Sequence, residues 1–130
     1  MGWSVHLQSF QGKAIVNFPR VIVWNVFAPK AHSANWGWTL MYDDGYGGLL
    51  YLKDDPLVDG CSVERPSSDA IRDMFMIAQR VPSAISTDAN FFVTDAAFVS
   101  GMPDWLLNAL PYPPRTVASA DELLERLAGR

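Results

Sequence analysis

The chain has 130 residues, a length that suits one domain, and it should bury roughly two thirds of its unfolded surface without disulfide or metal staples. With 49 % hydrophobic, 12 % aromatic and 18 % charged residues, it is too rich in core material to be disordered. The formal net charge is −4, and residues 43–64 alone sum to −5, which leaves no basic footprint of the kind a nucleic-acid binder needs.

The first element is a half-buried strand over residues 3–10. Trp3, Val5 and Leu7 alternate with Ser4, His6 and Gln8, so His6 is expected to face solvent or a neighbouring strand. Gln11-Gly12-Lys13 closes this strand as a turn. Residues 17–28 mix β-branched residues with a helix-start signal, and Pro19 at a first helical position with Val23, Val26 and Phe27 on one face predicts a helix ended by Pro29. Residues 30–35, including His32, read as a polar loop.

A hairpin follows. Trp36, Trp38, Leu40 and Tyr42 alternate with Gly37, Thr39, Met41 and Asp43, which gives one aromatic face expected to serve mainly as core. Asp44-Gly45 marks the reversal, Gly47 and Gly48 are expected to lengthen the loop, and residues 49–53 form the return strand. Asp54-Asp55-Pro56 ends it. Residues 57–65 hold a fourth strand bent at Asp59-Gly60, with Cys61 and Val63 directed inward.

Pro66-Ser67-Ser68-Asp69 begins a helix whose apolar stripe is Ile71, Met74, Phe75, Ile77 and Ala78, and Pro82 stops it. One or two short strands are expected over residues 83–95, around Thr87-Asp88-Ala89-Asn90, with Phe91, Phe92 and Val93 as core. A short helix over residues 103–110, an extended Tyr112-Pro113-Pro114 connector and an edge strand over residues 115–118 come next. In Ser119-Ala120-Asp121-Glu122 the spacing of Ser119 and Glu122 is that of a capping box, opening a helix that buries Leu123, Leu124 and Leu127 and ends at Gly129. The expected architecture is a single α+β domain over residues 1–130, a mainly antiparallel sheet with about four helices packed on one face.

The residues offer little catalytic or ligating chemistry. Two histidines and one cysteine without HxxxH or CxxC spacing give no zinc pattern. Asp43-Asp44 and Asp54-Asp55 lack the DxDxDG alternation of a calcium loop, although a hairpin bringing the pairs together would create an acidic site. Gly45-Tyr46-Gly47-Gly48 lacks the Lys-Ser/Thr and following helix of a phosphate cradle, and Ser100-Gly101 is not a nucleophile elbow. Cys61 has no signature of a nucleophile around it and reads as a small buried hydrophobe, compatible with a reducing cytoplasm. The N-terminus has no secretory pattern, Met1-Gly2 lacks the Ser or Thr of a myristoylation site, and no apolar run is long enough to span a bilayer. No cofactor, metal, membrane or nucleic-acid partner is expected, and no enzymatic activity.

The stronger signal is recognition. Tyr46 sits at the hairpin tip among carboxylates, where burial within a monomer is difficult, and such a tyrosine suits contact with an Arg- or Lys-rich surface. The runs SVHLQSF, WTLMYDDG followed by YL, CSVERP and VASADELLERL resemble small bacterial immunity proteins of polymorphic-toxin and contact-dependent inhibition systems. That resemblance implies a cytoplasmic protein that neutralises a cognate toxin domain by occlusion. The candidate partner-binding residues are Asp43, Asp44, Tyr46, Asp54 and Asp55, an acidic set answering a basic toxin surface. An alternative is a small-ligand-binding or regulatory domain with an apolar pocket lined by Trp and Phe, recognisable as an apolar cavity with convergent polar groups. A third reading is an enzyme using Cys61 or His6 beside a carboxylate in a deep cleft.

Overall fold

The computed structural model describes residues 3–88 and 90–129, so Met1, Gly2, Ala89 and Arg130 lie outside the described residues. The chain forms a single α+β domain built on a mainly antiparallel sheet. Its strands are β1 (Ser4–Gln11), β2 (Ala14–Ile15), β3 (Phe18–Pro19), β4 (Ala31–Ala34), β5 (Gly37–Tyr42), β6 (Gly45–Tyr51), β7 (Leu57–Val58), β8 (Gly60–Glu64), β9 (Ser83–Thr87), β10 (Asn90–Val93) and β11 (Arg115–Thr116). The helices are α1 (Val21–Phe27), α2 (Ser68–Arg80), α3 (Asp104–Ala109) and α4 (Ala120–Leu127), with 3-10 turns at Ala28–Lys30 and Ala96–Gly101. Among the described residues, no helix is long and apolar enough to cross a membrane.

The principal sheet runs β11-β10-β9-β1-β8-β6-β5-β4, with β2 folded back on β1. β1 is central, antiparallel to both β8 and β9. Those two strands are therefore parallel to each other and are joined by α2, a split β-α-β unit with the N-terminal strand inserted in its middle. The alternation expected of β1 is present: Val5 and Leu7 are buried and His6 is exposed. The inward face packs Leu40, Leu50, Val63, Val5 and Ile85 into one core with Val23, Phe27, Met74, Ile77 and Leu123 of the helices. These side chains are almost fully excluded from water, and each is worth roughly 1.5–3 kcal/mol of transfer free energy.

The opposite face is covered only at one end. Phe10, Ala84, Val93 and Met102 form a second small cluster, packed by Phe98, Val99, Leu106 and Leu107 from the 3-10 turn and α3. The single covered face expected from sequence is thus one covered face plus a partial lid on the other.

Several local signals act as expected. Gly12 and Lys13 both take positive φ, near 62° and 64°, in the two-residue β1–β2 turn. The Ser67 hydroxyl accepts from the Ala70 N–H and caps α2. The Ser119 hydroxyl accepts from the Glu122 N–H at 3.1 Å, while the Glu122 carboxylate accepts from the Ala118 N–H, one residue earlier than in the standard box.

Other expectations are corrected. Pro19 lies in the two-residue strand β3, paired with β7, and α1 starts only at Val21. The stretch taken as a polar loop contains β4, an edge strand that draws its order from pairing with β5. Trp36 is not core: it sits in the β4–β5 turn at 79 % exposure.

The glycines of the central hairpin do not lengthen its loop. Tyr42 pairs with Gly45 across Asp43-Asp44, and the ladder slips between Leu40 and Met41, leaving Gly47 as the extra residue of a β-bulge. A Cβ on Gly47 would collide with the Tyr42 ring, and the Gly47 carbonyl accepts from the Ser67 N–H at the start of α2. Gly48 takes φ +118°, and a Cβ there would stand 2.6 Å from Val63 Cγ1 and 2.8 Å from the Glu64 carbonyl oxygen.

Gly45 has a comparable φ of +128° with nothing within 4 Å of a built Cβ. Gly48→Ala should therefore cost about 2–4 kcal/mol, strain plus collision, against about 1–2 kcal/mol for Gly45→Ala, strain alone. Urea unfolding of the two variants measures that difference.

Candidate functional site

The face of the sheet opposite α1, α2 and α4, covered at one end by α3, is open beyond the small cluster. It forms a groove of about 810 Å³, within the range of ligand-binding clefts. Its floor follows from strand registry. Tyr51 pairs with Ser62, Ser62 with His6, His6 with Ser86 and Ser86 with Phe91, so these five side chains form one row across β6, β8, β1, β9 and β10. Neighbouring strands lie about 4.8 Å apart, which sets the spacing of the row. The middle is polar and the ends are aromatic.

Within the row, His6 Nδ1 and Ser62 Oγ share a hydrogen bond of 2.6 Å. The Tyr51 hydroxyl donates to Glu64 Oε2 at 3.2 Å, and the Gln8 amide donates to the Asp59 carbonyl at 3.0 Å. The groove walls carry Trp36 from the β4–β5 turn and Trp105 from α3, exposed by 79 % and 67 %. Lys53 and Asp59, of opposite sign, are the fully charged side chains lining it among the described residues.

Gly60 permits the close approach of β8 to β1, since a Cβ there would meet the Leu7 carbonyl.

A second, smaller depression lies beside the N-terminal half of α2. Asp73 is buried at 8 % exposure and accepts from the Tyr42 hydroxyl at 2.6 Å and from Lys30 Nζ at 2.9 Å. Lys30 also stands 5.3 Å from the centre of the Tyr42 ring. Burial first, then the hydrogen bond and charge of Asp73, hold the Tyr42 phenol well above its ordinary value of 10.0. This triad ties β5 to α2 and is fully engaged internally.

The sequence-selected residues are distributed unevenly. Asp43, Asp44 and Tyr46 are exposed at one end of β6, with Tyr46 at 52 %. Asp54 and Asp55 are exposed beyond its other end. A seven-residue strand, roughly 20 Å long, separates them, so the two pairs do not converge on a common acidic site. Asp54 and Asp55 follow the groove-lining Lys53 directly, whereas Asp43, Asp44 and Tyr46 are absent from the groove. Among the described residues, no three His, Cys, Asp or Glu side chains are grouped to hold a metal ion.

Cys61 faces the helices. Its thiol donates to Met74 Sδ at 3.6 Å, and burial pushes its pKa from 9.0 up to about 12. A thiol in that state is a core atom, not a nucleophile. The alternation of β1 puts His6 and Gln8 on one side of the strand, but the row His6 forms with Ser62, Ser86, Tyr51 and Phe91 depends on which strands flank β1. No family model, curated protein or solved structure matches the chain.

Two outcomes follow from the buried phenol and thiol. Cys61 should react with a disulfide reagent in native buffer at least about a hundredfold more slowly than in denaturant. Because both groups have raised pKa values in the folded state, the stability they confer is complete below pH 9 and falls as the unfolded chain ionises above that. Tyr42→Phe should flatten the alkaline decline between about pH 10 and pH 11, as measured by urea unfolding at each pH.

Proposed function

We propose that this protein is a small-ligand-binding domain whose site is the groove on the sheet face opposite α1, α2 and α4, acting by binding without catalysis. The observation that carries this reading is the row Tyr51–Ser62–His6–Ser86–Phe91, polar groups converging on the floor of an aromatic-walled groove. An apolar cleft with a few fixed hydrogen-bonding groups binds by burial and orients its ligand by the polar groups. The absence of a catalytic step is supported by the chemistry of the two candidates. Cys61 is buried with a raised pKa, and His6 is hydrogen-bonded to a serine, with no carboxylate bonded to it among the described residues. A reduced, buried lone thiol also fits a cytoplasmic setting.

Neutralisation of a toxin domain is the second reading, favoured by the exposure of the acidic hairpin tip and by the resemblance to immunity proteins. In that reading Asp43, Asp44 and Tyr46 meet a basic partner at one end of β6, and Asp54 and Asp55 form a separate contact. Membrane and nucleic-acid partners are outside both readings, the latter because the groove is lined by one Lys53 and one Asp59 and offers no phosphate-neutralising surface.

The test separates the two. Ser62→Trp fills the middle of the groove from a solvent-facing position and should leave the melting temperature within a few degrees of wild type, while binding of small molecules followed by tryptophan fluorescence or calorimetry is lost. Charge reversal of Asp43 and Asp44 should leave that binding unchanged. Binding that survives Ser62→Trp and disappears on reversal at the hairpin tip would move the site to the acidic end.

A further inference from the structure

The chemistry of the groove narrows its ligand. We infer that the groove takes a neutral, polyhydroxylated ligand, an uncharged oligosaccharide lying across the strands; this rests on the groove being the binding site.

Three properties of the lining point to this class. The charges lining the groove are one Lys53 and one Asp59 among the described residues, which gives no net charge to attract an anion or a cation. The floor consists of hydroxyl and imidazole groups: Ser62, His6 and Ser86 stand side by side on adjacent strands. A wholly apolar occupant would strip these groups of water and return no hydrogen bonds.

The third property is the indole pair. Trp36 and Trp105 are the two most exposed large apolar side chains among the described residues, and both line this groove, on elements far apart in sequence. A sugar ring presents an apolar C–H face and a hydroxyl rim. The C–H face stacks on an exposed indole, and the rim satisfies a hydroxyl and imidazole floor. Aromatic faces at the walls and neutral donors and acceptors on the floor suit a ligand that carries both characters on every unit.

A chain of such units also matches the geometry of the row. The hydrogen-bonding groups recur at the inter-strand spacing of about 4.8 Å, so an oligomer crossing the strands meets one polar side chain per strand from β8 to β9. An extended peptide gains most from a free strand edge, where its backbone joins the ladder. This floor is instead a row of side chains over strands whose backbone groups are already paired on both sides of β1 and β8.

The experiment uses the full chain on an array of neutral gluco-, galacto-, manno-, xylo- and N-acetylglucosamine oligomers together with their uronate and sulfated counterparts. Anilinonaphthalene sulfonate serves as an apolar anionic probe in parallel. The expected result is binding to at least one neutral series, weakened about tenfold or more by Trp36→Ala and by Trp105→Ala, and several-fold by Ser86→Ala, with melting temperatures unchanged. Neutral oligomers should also be preferred to their charged counterparts. Binding of the sulfonate probe, lost in Ser62→Trp, with no neutral saccharide bound, keeps the groove and overturns the ligand class. Preference for the uronate or sulfated series overturns it as well. Failure of every probe overturns both the ligand class and the groove.

Discussion

Strand β1 carries two chemistries on its two faces, and its period of two decides where everything else goes. Val5 and Leu7 close the core against α2 and its neighbours, while His6 and Gln8 lie on the other face, in the groove. Because β1 is flanked by β8 and β9, its inward residues are held by two neighbours and its outward residues become the middle of a surface. A slip of one residue would carry His6 into the core and Leu7 into solvent. That cost fixes the register, and the register fixes the row of side chains on the groove floor.

The helices can cover one face because the hairpin is pinned to α2. The Gly47 bulge lets the Tyr42 ring lie over the strand, brings the Gly47 carbonyl to the Ser67 N–H, and delivers the Tyr42 hydroxyl to Asp73. Lys30 completes the neutralisation of a carboxylate that burial would otherwise disfavour. The hairpin, α2 and the turn after α1 are thus tied by polar contacts at their rim and by apolar packing beneath. On the other face α3 and the 3-10 turn cover only the β9–β10 end, and the rest is left open.

Much of the fold was legible because its signals are local. The alternation of β1, the apolar stripe of α2, the Ser67 cap and the Ser119–Glu122 pair each depend on residues within one element, and each appears in the structure. What was not legible depends on partners. β4, with the sequence Ala-His-Ser-Ala, has no strand character of its own and is ordered by β5. Gly47 and Gly48 look like a loop until Tyr42 and Val63 are seen to need the space. The acidic pairs look like one patch in sequence, yet a strand as long as β6 holds them apart. The groove was hidden for the same reason: Tyr51, Ser62, His6, Ser86 and Phe91 are scattered along the chain and meet only through the order β6-β8-β1-β9-β10.

The central claim is that the groove face, opposite α1, α2 and α4, is the working surface of the molecule. The most direct measurement is a set of crystal structures of the full chain soaked with a diverse library of small fragments. The account predicts that bound fragments concentrate over the His6–Ser62–Ser86 row, between Trp36 and Trp105, with hydrogen bonds to at least one of the three polar side chains. Fragments gathered instead around Asp73 and Arg72, or at the Asp43–Tyr46 tip, with the groove left to solvent, would contradict it.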